Sequence, residues 1–384
     1  MKRISYIFID LMVTALVLAP ACSKDSPSPK DEMPEWVTDL TKSVPIILGT
    51  GSPSVVKTKA AITSLSNVEF GVLALDTTNN ANVELFRNEV AYGAQANVAQ
   101  FFSKKTGADT TMYYPLYNPN SYNYSFFAWH TSDTTVVTKS KIFDLDANAY
   151  TKTFEIGHVD VLWARADATP FVIGSGEEAK TYKGFNAEYQ RTARKELGAS
   201  WETYLPKLTF KHLTAALHFK VVAEDADAAA TFIKNNVELV RLTDLKIFSV
   251  SGSGIPSSVI LDVINGEMTT KNYAKNLAIT AASLLPKVDA QEFGEGLFIM
   301  PTSDELRVMF TIQTPTGAYT PSESEDKDKD KGFPLNAPSA KGFEAGKSYT
   351  YKIIIRSLEN IQIKLELEEW IEAPINDNVI ATIG

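Results

Sequence analysis

The sequence of 384 residues has one cysteine, four histidines and no apolar run that could cross a membrane as a helix. A membrane-spanning helix needs about 20 consecutive apolar residues. A single cysteine excludes a disulfide within the chain, and so few histidines leave little material for a zinc site. Nucleophile-elbow and phosphate-loop motifs are also missing. We therefore predict no metal site, no cofactor and no enzymatic activity.

The chain also lacks the basic surplus that nucleic-acid-binding proteins carry. Its formal net charge is −9, and an acidic surface repels phosphate backbones. We therefore predict no nucleic-acid partner. A hydrophobic content of 44% with 22% charged residues is typical of a globular protein.

The only cysteine, Cys22, lies where a bacterial lipoprotein signal would place it. Lys2 and Arg3 precede a short apolar run over residues 11–19, and polar residues follow the cysteine. This layout predicts a signal peptide over residues 1–21, cleavage before Cys22, and attachment of lipid, palmitate included, to the Cys22 sulfur. Ala19 departs from the leucine usual at that position. An ordinary signal peptide with an incidental cysteine is the alternative.

The mature chain divides into a tether and two domains. The tether, residues 22–42, begins with a polar, proline-rich stretch that cannot bury a face. We assign residues 43–204 to an N-terminal domain and residues 205–384 to a C-terminal one. We place the boundary near Tyr204. No linker marks it, so the error of this position is about ten residues or more.

Apolar residues in both domains mostly alternate with polar ones. The alternation runs over residues 122–128, 213–221 and 361–367, and indicates antiparallel strands with one face in a core and one in water. Helical patterns cover only residues 186–197, ended by Gly198, and residues 224–234. The pattern predicts an all-β chain of two sandwiches with few short helices.

Histidine and aspartate side chains offer one candidate pair of metal ligands. His158 and Asp160 are two residues apart and could share one face of a strand. A zinc site would need further ligands, and neither cysteine nor nearby histidine supplies them. The prediction therefore stays with no metal.

Four segments, in this order, resemble one family. They are residues 57–65, 160–166, 208–219 and 343–351. They are similar to segments of the fimbrillin family, the type V pilins of Bacteroidales, and the resemblance extends from about residue 44 to the end. It implies two tandem transthyretin-like β-sandwich domains. It also implies export as a lipoprotein to the outer membrane and a final place in a cell-surface fimbrium that supports adhesion.

The resemblance further implies a route of polymerisation. In such pilins a protease cuts after a basic residue beyond the first strand, and loss of that strand opens a groove. The C-terminal strand of the next subunit then fills the groove, which is strand addition to an exposed sheet edge. The implied partners are other fimbrial subunits, in a homo- or hetero-polymer, and the processing protease. The outer membrane, through the lipid before maturation, and a host or bacterial adhesion ligand complete the set.

Residues 43–59 fit the removable first strand and its loop. Residues 43–48 are the candidate strand, and the following loop ends with Lys57 and Lys59. These are the candidate processing residues, since a protease can reach such a loop. An arginine-specific protease would not cut here. A solvated loop that is never processed is the alternative.

The tail, residues 371–384, is the candidate donor strand. Ile375, Val379, Ala381 and Ile383 share the odd positions, and Asp377 interrupts that apolar side. The alternative is that the tail completes its own domain as an edge strand.

A non-polymerising surface lipoprotein is the competing function. As a tip adhesin or an anchor-type subunit it would bind a glycan or host ligand, and its candidate contacts are aromatic: Tyr113, Tyr114, Tyr117 and Tyr122. A hydrolase with convergent carboxylates is the third alternative.

Overall fold

The structure is a computed structural model, and it describes most of the chain beyond residue 32. The described residues are 33–51, 69–76, 82–95, 98–102, 109–117, 122–131, 143–234, 237–250, 253–279, 283–320, 332–357 and 360–368. Strands dominate these residues, so the predicted all-β class is confirmed. None of the helices in this part of the chain has the length and hydropathy of a membrane span.

Strands of the N-terminal half are numbered in chain order. They are β1 Val44–Pro45, β2 Leu48–Gly51, β3 Glu69–Asp76, β4 Val83–Gln95, β5 Val98–Phe102, β6 Asp109–Thr110, β7 Tyr113–Tyr114, β8 Tyr124–Thr131, β9 Thr151–Glu155, β10 Val161–Ala166, β11 Phe171–Ile173, β12 Lys180–Tyr182, β13 Lys207–Thr209 and β14 Lys211–His212.

Strands of the C-terminal half continue the numbering. They are β15 Ala215–Ala223, β16 Ile233–Lys234, β17 Val237–Glu238, β18 Arg241–Ser249, β19 Ile255–Asp262, β20 Glu267–Ala274, β21 Leu277–Ala278, β22 Gln291–Glu292, β23 Leu297–Ile299, β24 Leu306–Thr314, β25 Gly317–Tyr319, β26 Phe333–Leu335, β27 Ser348–Ser357 and β28 Asn360–Glu368. The α-helices of the described residues are α1 Glu35–Thr38, α2 Ala187–Glu196 and α3 Ala226–Thr231, and 3-10 turns cover Gly176–Glu178 and Gly198–Tyr204.

The two predicted helices form, one as expected and one shorter. The Asn186 side chain caps α2 by accepting a hydrogen bond of 2.8 Å from the Tyr189 N–H, and the helix ends just before Gly198. Helix α3 is capped by Asp225 but stops at Thr231, where the prediction ran to residue 234. Residues 233–234 form β16 instead, in a short hairpin with β17.

The N-terminal sheet is closed by a segment from the middle of the chain. Within the described residues its strand order is β13-β2-β5-β4-β3-β8-β10-β14, with β6 beside β5. Strands β13 and β14 stand at opposite ends of that order although only Phe210 separates them in the chain. Residues 207–212 therefore join β2 to β10 and complete the ring of strands. This segment lies just beyond the predicted domain boundary, which stays a prediction.

Strands β3 and β8 are buried on both faces. One face, with Phe126 and Ala128, packs in the core of the N-terminal sheet. The other face carries Phe127 and Trp129, which belong to a second core together with Val259. The expectation that alternate residues of 122–128 face water is therefore wrong for this strand. Residues from later parts of the chain cover the face that the alternation left to solvent.

The C-terminal half is a sandwich. One sheet has the order β22-β15-β27-β28, with β23 beside β15, and the other has the order β21-β18-β24-β25, with β26 beside β24. Their facing side chains form one core. The predicted alternation is confirmed for residues 362–365 of β28, where Ile363 and Leu365 pack on this core and Gln362 and Lys364 are exposed.

A third sheet joins the two halves. Strand β9 of the N-terminal half pairs antiparallel with β19, and β19 pairs with β20. Phe154 lies opposite Val259 in this sheet, and both side chains are buried in the core behind β8. The halves thus share backbone hydrogen bonds as well as a hydrophobic core.

Candidate functional site

The first-strand segment, defined here as residues 44–51, comprises β1 and β2. Its apolar side chains at alternate positions, Val44, Ile46 and Leu48, are 0%, 5% and 0% exposed. Side chains two residues apart point to the same face of an extended chain, so the three insert side by side into the N-terminal core. The expected strand over residues 43–48 forms in part: Val44–Pro45 are β1 and β2 begins at Leu48, whereas residues 46–47 between them belong to neither strand.

One flank of the first-strand segment is antiparallel throughout. Val44 lies opposite Tyr114 and Pro45 opposite Tyr113 on β7. The Ile46 N–H donates a hydrogen bond of 2.8 Å to the Met112 carbonyl. Further along, β2 pairs antiparallel with β5.

The other flank is parallel. Strand β2 runs alongside β13, with Gly49 opposite Lys207, and the Gly49 N–H donates a hydrogen bond of 2.8 Å to the Pro206 carbonyl. A Cβ at Gly49 would lie 3.2 Å from the Lys207 Cγ, so this position suits glycine. Strand β2 therefore lies between two strands in the interior of the sheet. Its removal would leave a gap one strand wide between β5 and β13.

The polypeptide before the first strand is folded against α2. Val37 of α1 is 4% exposed. The Arg191 Nε donates a hydrogen bond of 2.8 Å to the Trp36 carbonyl, and the Arg191 Nη2 donates to the carbonyls of Leu40, at 3.3 Å, and Lys42. Residues 36–42, in the last part of the predicted tether, are thus tied to α2 by the Arg191 guanidinium as well as by the burial of Val37.

The four aromatic candidates separate into exposed and buried side chains. Tyr113 and Tyr117 are 51% and 81% exposed, and Leu116 nearby is 46% exposed. Tyr114 is buried against Phe126, with ring centroids 6.4 Å apart, and burial raises the pKa of its hydroxyl well above 10. Tyr122 is only partly buried and packs on the N-terminal core.

The metal hypothesis for His158 and Asp160 fails on geometry. His158 is exposed, whereas Asp160 is fully buried and accepts a hydrogen bond of 2.6 Å from the Thr214 hydroxyl. The His212 Nδ1 lies 2.5 Å from the other Asp160 oxygen. No cluster of three potential metal-ligating His, Cys, Asp or Glu side chains occurs among the residues that the structure describes. The buried cluster joins β14 to the turn before β10, and sequence reasoning missed it.

Other predicted site residues lie outside the described residues. They are the lipidation residue Cys22, the processing residues Lys57 and Lys59, and the donor-strand residues Ile375, Val379, Ala381 and Ile383. Their roles stay predictions.

Comparison with known proteins gives one family match. Residues 192–370 match the family model described as "Fimbrillin-like", which confirms the resemblance seen in the sequence over that region. No curated protein matches the chain.

The chain also aligns over most of its length with solved structures of proteins from Bacteroides and Parabacteroides. One, from Bacteroides uniformis and given a suggested role in cell adhesion, is 15% identical, with coverage of 85% of this chain and 99% of that one and a TM-score of 0.49. A fimbrial protein from Bacteroides vulgatus is 13% identical, with coverage of 85% and 99% and a TM-score of 0.42. A fimbrial assembly protein from Parabacteroides distasonis is 13% identical, with coverage of 85% and 96% and a TM-score of 0.40. At these identities and TM-scores the likeness supports no functional statement.

Proposed function

We propose that this chain, whose residues 192–370 match a fimbrillin-like family model, is a structural subunit of a cell-surface fimbria. It is exported as a lipoprotein through Cys22, loses its first strand by proteolysis, and polymerises when the C-terminal tail of a neighbour replaces that strand. The observation that carries this proposal is the interior position of β2 between β5 and β13.

Loss of the first-strand segment would create an acceptor groove. Strands β5 and β13 would each lose the hydrogen-bonding partner that they share, leaving two facing rows of backbone N–H and C=O groups. With strands spaced about 4.8 Å apart, the gap admits one strand and no more. An extended peptide that enters it recovers hydrogen bonds on both sides.

The groove would also be apolar. Val44, Ile46 and Leu48 are fully or almost fully buried, and each contributes about 1.5–3 kcal/mol to stability by that burial. Without them the core of the N-terminal sheet is open to water. A replacement strand is therefore favoured if it carries apolar side chains at three alternate positions.

Apolar residues occupy three alternate positions of the tail at Ile371, Ala373 and Ile375 and again at Val379, Ala381 and Ile383. We take the second set as the donor, because a glycine follows it as Gly49 follows Leu48. Val379, Ala381 and Ile383 have the spacing of the three buried side chains of the first-strand segment. In this register Gly384 takes the place of Gly49, where a side chain would meet Lys207. Asp377 falls before the groove, so its carboxylate stays out of the core.

The direction of the donor follows from the hydrogen-bond pattern. The first-strand segment is antiparallel to β5 and β7 and parallel to β13. A donor that runs in the same direction reuses those positions of N–H and C=O groups. A donor in the opposite direction would need a different spacing along every flanking strand.

Processing at Lys57 or Lys59 requires more than the cleavage of one peptide bond. The fragment that leaves would carry the first-strand segment and α1, so the hydrogen bonds from Arg191 to residues 36–42 must break as well. The donor strand competes with this fragment for the groove.

A ligand-binding role is the second candidate, and the exposure of Tyr113 and Tyr117 favours it. A tip or anchor-type subunit that binds a glycan would use such aromatic side chains. It would remain monomeric whether or not the first strand is removed.

Assembly after trimming tests the proposal. In a protein of residues 23–384, residues 57–59 are replaced by the site of a sequence-specific protease, and products are viewed by electron microscopy. The matched control ends at Glu372 and so lacks the donor residues. We expect filaments only from the trimmed protein with its tail. Trimmed protein that stays monomeric whatever its tail contradicts strand exchange.

A further inference from the structure

Three large apolar side chains within a stretch of five residues, next to the strand that pairs with the first strand, are exposed on the surface. Tyr113, Leu116 and Tyr117, called the tyrosine patch below, are 51%, 46% and 81% exposed. Their loop is fixed at its base, because Tyr114 between them is buried in the N-terminal core and β7 pairs with β1. Exposed apolar side chains next to an anchored strand are typical of an interaction surface.

The tyrosine patch lies at one end of the future groove. Tyr113 is the direct partner of Pro45 in β1, the start of the first-strand segment. The other end of that segment, near Gly51, pairs with β13 and not with β7. The two ends of the groove therefore have different neighbours, and only one of them has the patch.

The direction of the donor strand determines the end of the groove at which the rest of the donor subunit lies, and this is the end with the patch. A donor parallel to β13 enters its groove at the β1 end, so residues before Val379 leave the groove there. Ten residues separate Val379 from Glu368, the last residue of β28. Fully extended they span at most about 35 Å. The folded part of the donor subunit is thus tethered within about 35 Å of the end of the groove that has the tyrosine patch.

We propose that the tyrosine patch is the surface on which the C-terminal sandwich of the donor subunit, a second copy of this chain, docks after strand exchange. The inference rests on the proposed function. Buried aromatic side chains cover about 150–250 Å² each, so the patch is too small for a stable dimer, which needs about 1,000 Å² in total or more. The tethered strand raises the local concentration of the partner, and the patch then fixes its orientation.

Two variants test the inference. One is Leu116→Ser with Tyr117→Ser, which leaves β7 untouched, and the other adds Tyr113→Ser. The matched control replaces exposed apolar side chains elsewhere, as Val172→Ser, Tyr273→Ser and Val288→Ser, at 56%, 56% and 52% exposure. Each is trimmed as above. Filament growth is followed by light scattering, and binding of a peptide of residues 369–384 is measured separately.

We expect both patch variants to elongate about tenfold more slowly than the control, and the Leu116→Ser/Tyr117→Ser variant, in which β7 is intact, to bind the peptide as the control does. Equal growth in patch and control variants overturns the inference and leaves strand exchange intact. Loss of peptide binding in the Leu116→Ser/Tyr117→Ser variant also overturns it, because these two side chains would then belong to the groove. If the unsubstituted trimmed protein neither binds the peptide nor grows, the proposed function fails and the inference fails with it.

Discussion

The Arg191 guanidinium of α2 donates a hydrogen bond to the backbone carbonyl of Trp36, 155 residues earlier in the chain. The same group also reaches the carbonyls of Leu40 and Lys42. A single charged side chain therefore holds the polypeptide that precedes the first strand. These hydrogen bonds, called the Arg191 clamp below, involve backbone oxygens only. The clamp therefore depends little on which side chains residues 36–42 carry.

Replacing Arg191 should loosen this segment selectively. We expect Arg191→Ala to lower the free energy of unfolding by about 2 kcal/mol, because hydrogen bonds from a charged donor are lost. Amide hydrogen exchange at residues 36–42 should accelerate, and the cut fragment should dissociate faster after trimming. Arg194→Ala is the matched control on the same helix, since Arg194 instead lies 4.7 Å over the Trp201 ring. Equal exchange at residues 36–42 in the two variants would contradict the clamp.

The contact between Gly71 and Trp129 gives a second prediction. A Cβ at Gly71 would lie 2.3 Å from the Trp129 ring, closer than packed atoms allow. We expect Gly71→Ala to destabilise the protein by about 1–3 kcal/mol, measured by urea unfolding.

The same exchange in a Trp129→Leu background provides the control. There the ring is absent, and the added methyl group should cost much less. A cost that is the same in both backgrounds would show that the strain comes from somewhere other than the ring.

Strand β8, which contains Trp129, shows what the alternation of apolar residues can and cannot predict. Alternation identified the strand that contains Phe127 and Trp129, and it identified β28 correctly. It could not show that both faces of β8 are buried. The second face is covered by residues such as Phe154 and Val259, and alternation within one strand carries no information about such distant partners.

His130 predicts a pH dependence of stability. Burial lowers its pKa from 6.5 to about 4, although a hydrogen bond with the Glu69 carbonyl and the charge of Asp160 act in the opposite direction. The unfolded chain therefore binds a proton that the folded chain does not between these pH values. Stability from this group is complete above pH 6.5 and is lost as the pH falls towards about 4.

Comparison of variants isolates this contribution. We expect His130→Gln to show a smaller loss of unfolding free energy between pH 7.5 and pH 4.5 than the unsubstituted protein. His158→Gln is the control, because His158 is exposed. A pH dependence that is unchanged in His130→Gln would contradict the assignment.

The buried group of Asp160, His212 and Thr214 gives a fourth prediction. Asp160→Asn weakens hydrogen bonds with both partners in a site from which water is excluded, so we expect a loss of about 3 kcal/mol in unfolding free energy. Asp289→Asn, at an exposed position, should change it by less than about 0.5 kcal/mol. A small effect at Asp160 would mean that the carboxylate is not what holds β14 in place.

Only part of the candidate site could be predicted from the sequence. Local patterns were sufficient for the strands within residues 43–48 and for the cap of α2 at Asn186, because neighbouring residues determine both. The place of β2 between β5 and β13 was not predictable. It depends on residues 207–212 returning from the middle of the chain to close the sheet.

The register of strand exchange can be measured by disulfide trapping. A protein of residues 23–384 has no native cysteine, because Cys22 is the only one in the chain. In the proposed register Ile380 replaces Pro45 and lies opposite Tyr113, with Cα atoms about 4.5–5.5 Å apart, within the range of a disulfide. The test pair is Tyr113→Cys with Ile380→Cys, and the control pair is Tyr113→Cys with Thr382→Cys, two residues out of register.

We predict that mild oxidation of trimmed protein gives a ladder of covalent multimers with the test pair. The control pair and the untrimmed protein should give none. Absence of multimers from the test pair, or equal yields from both pairs or from untrimmed protein, would contradict replacement of the first strand by the tail of a neighbour.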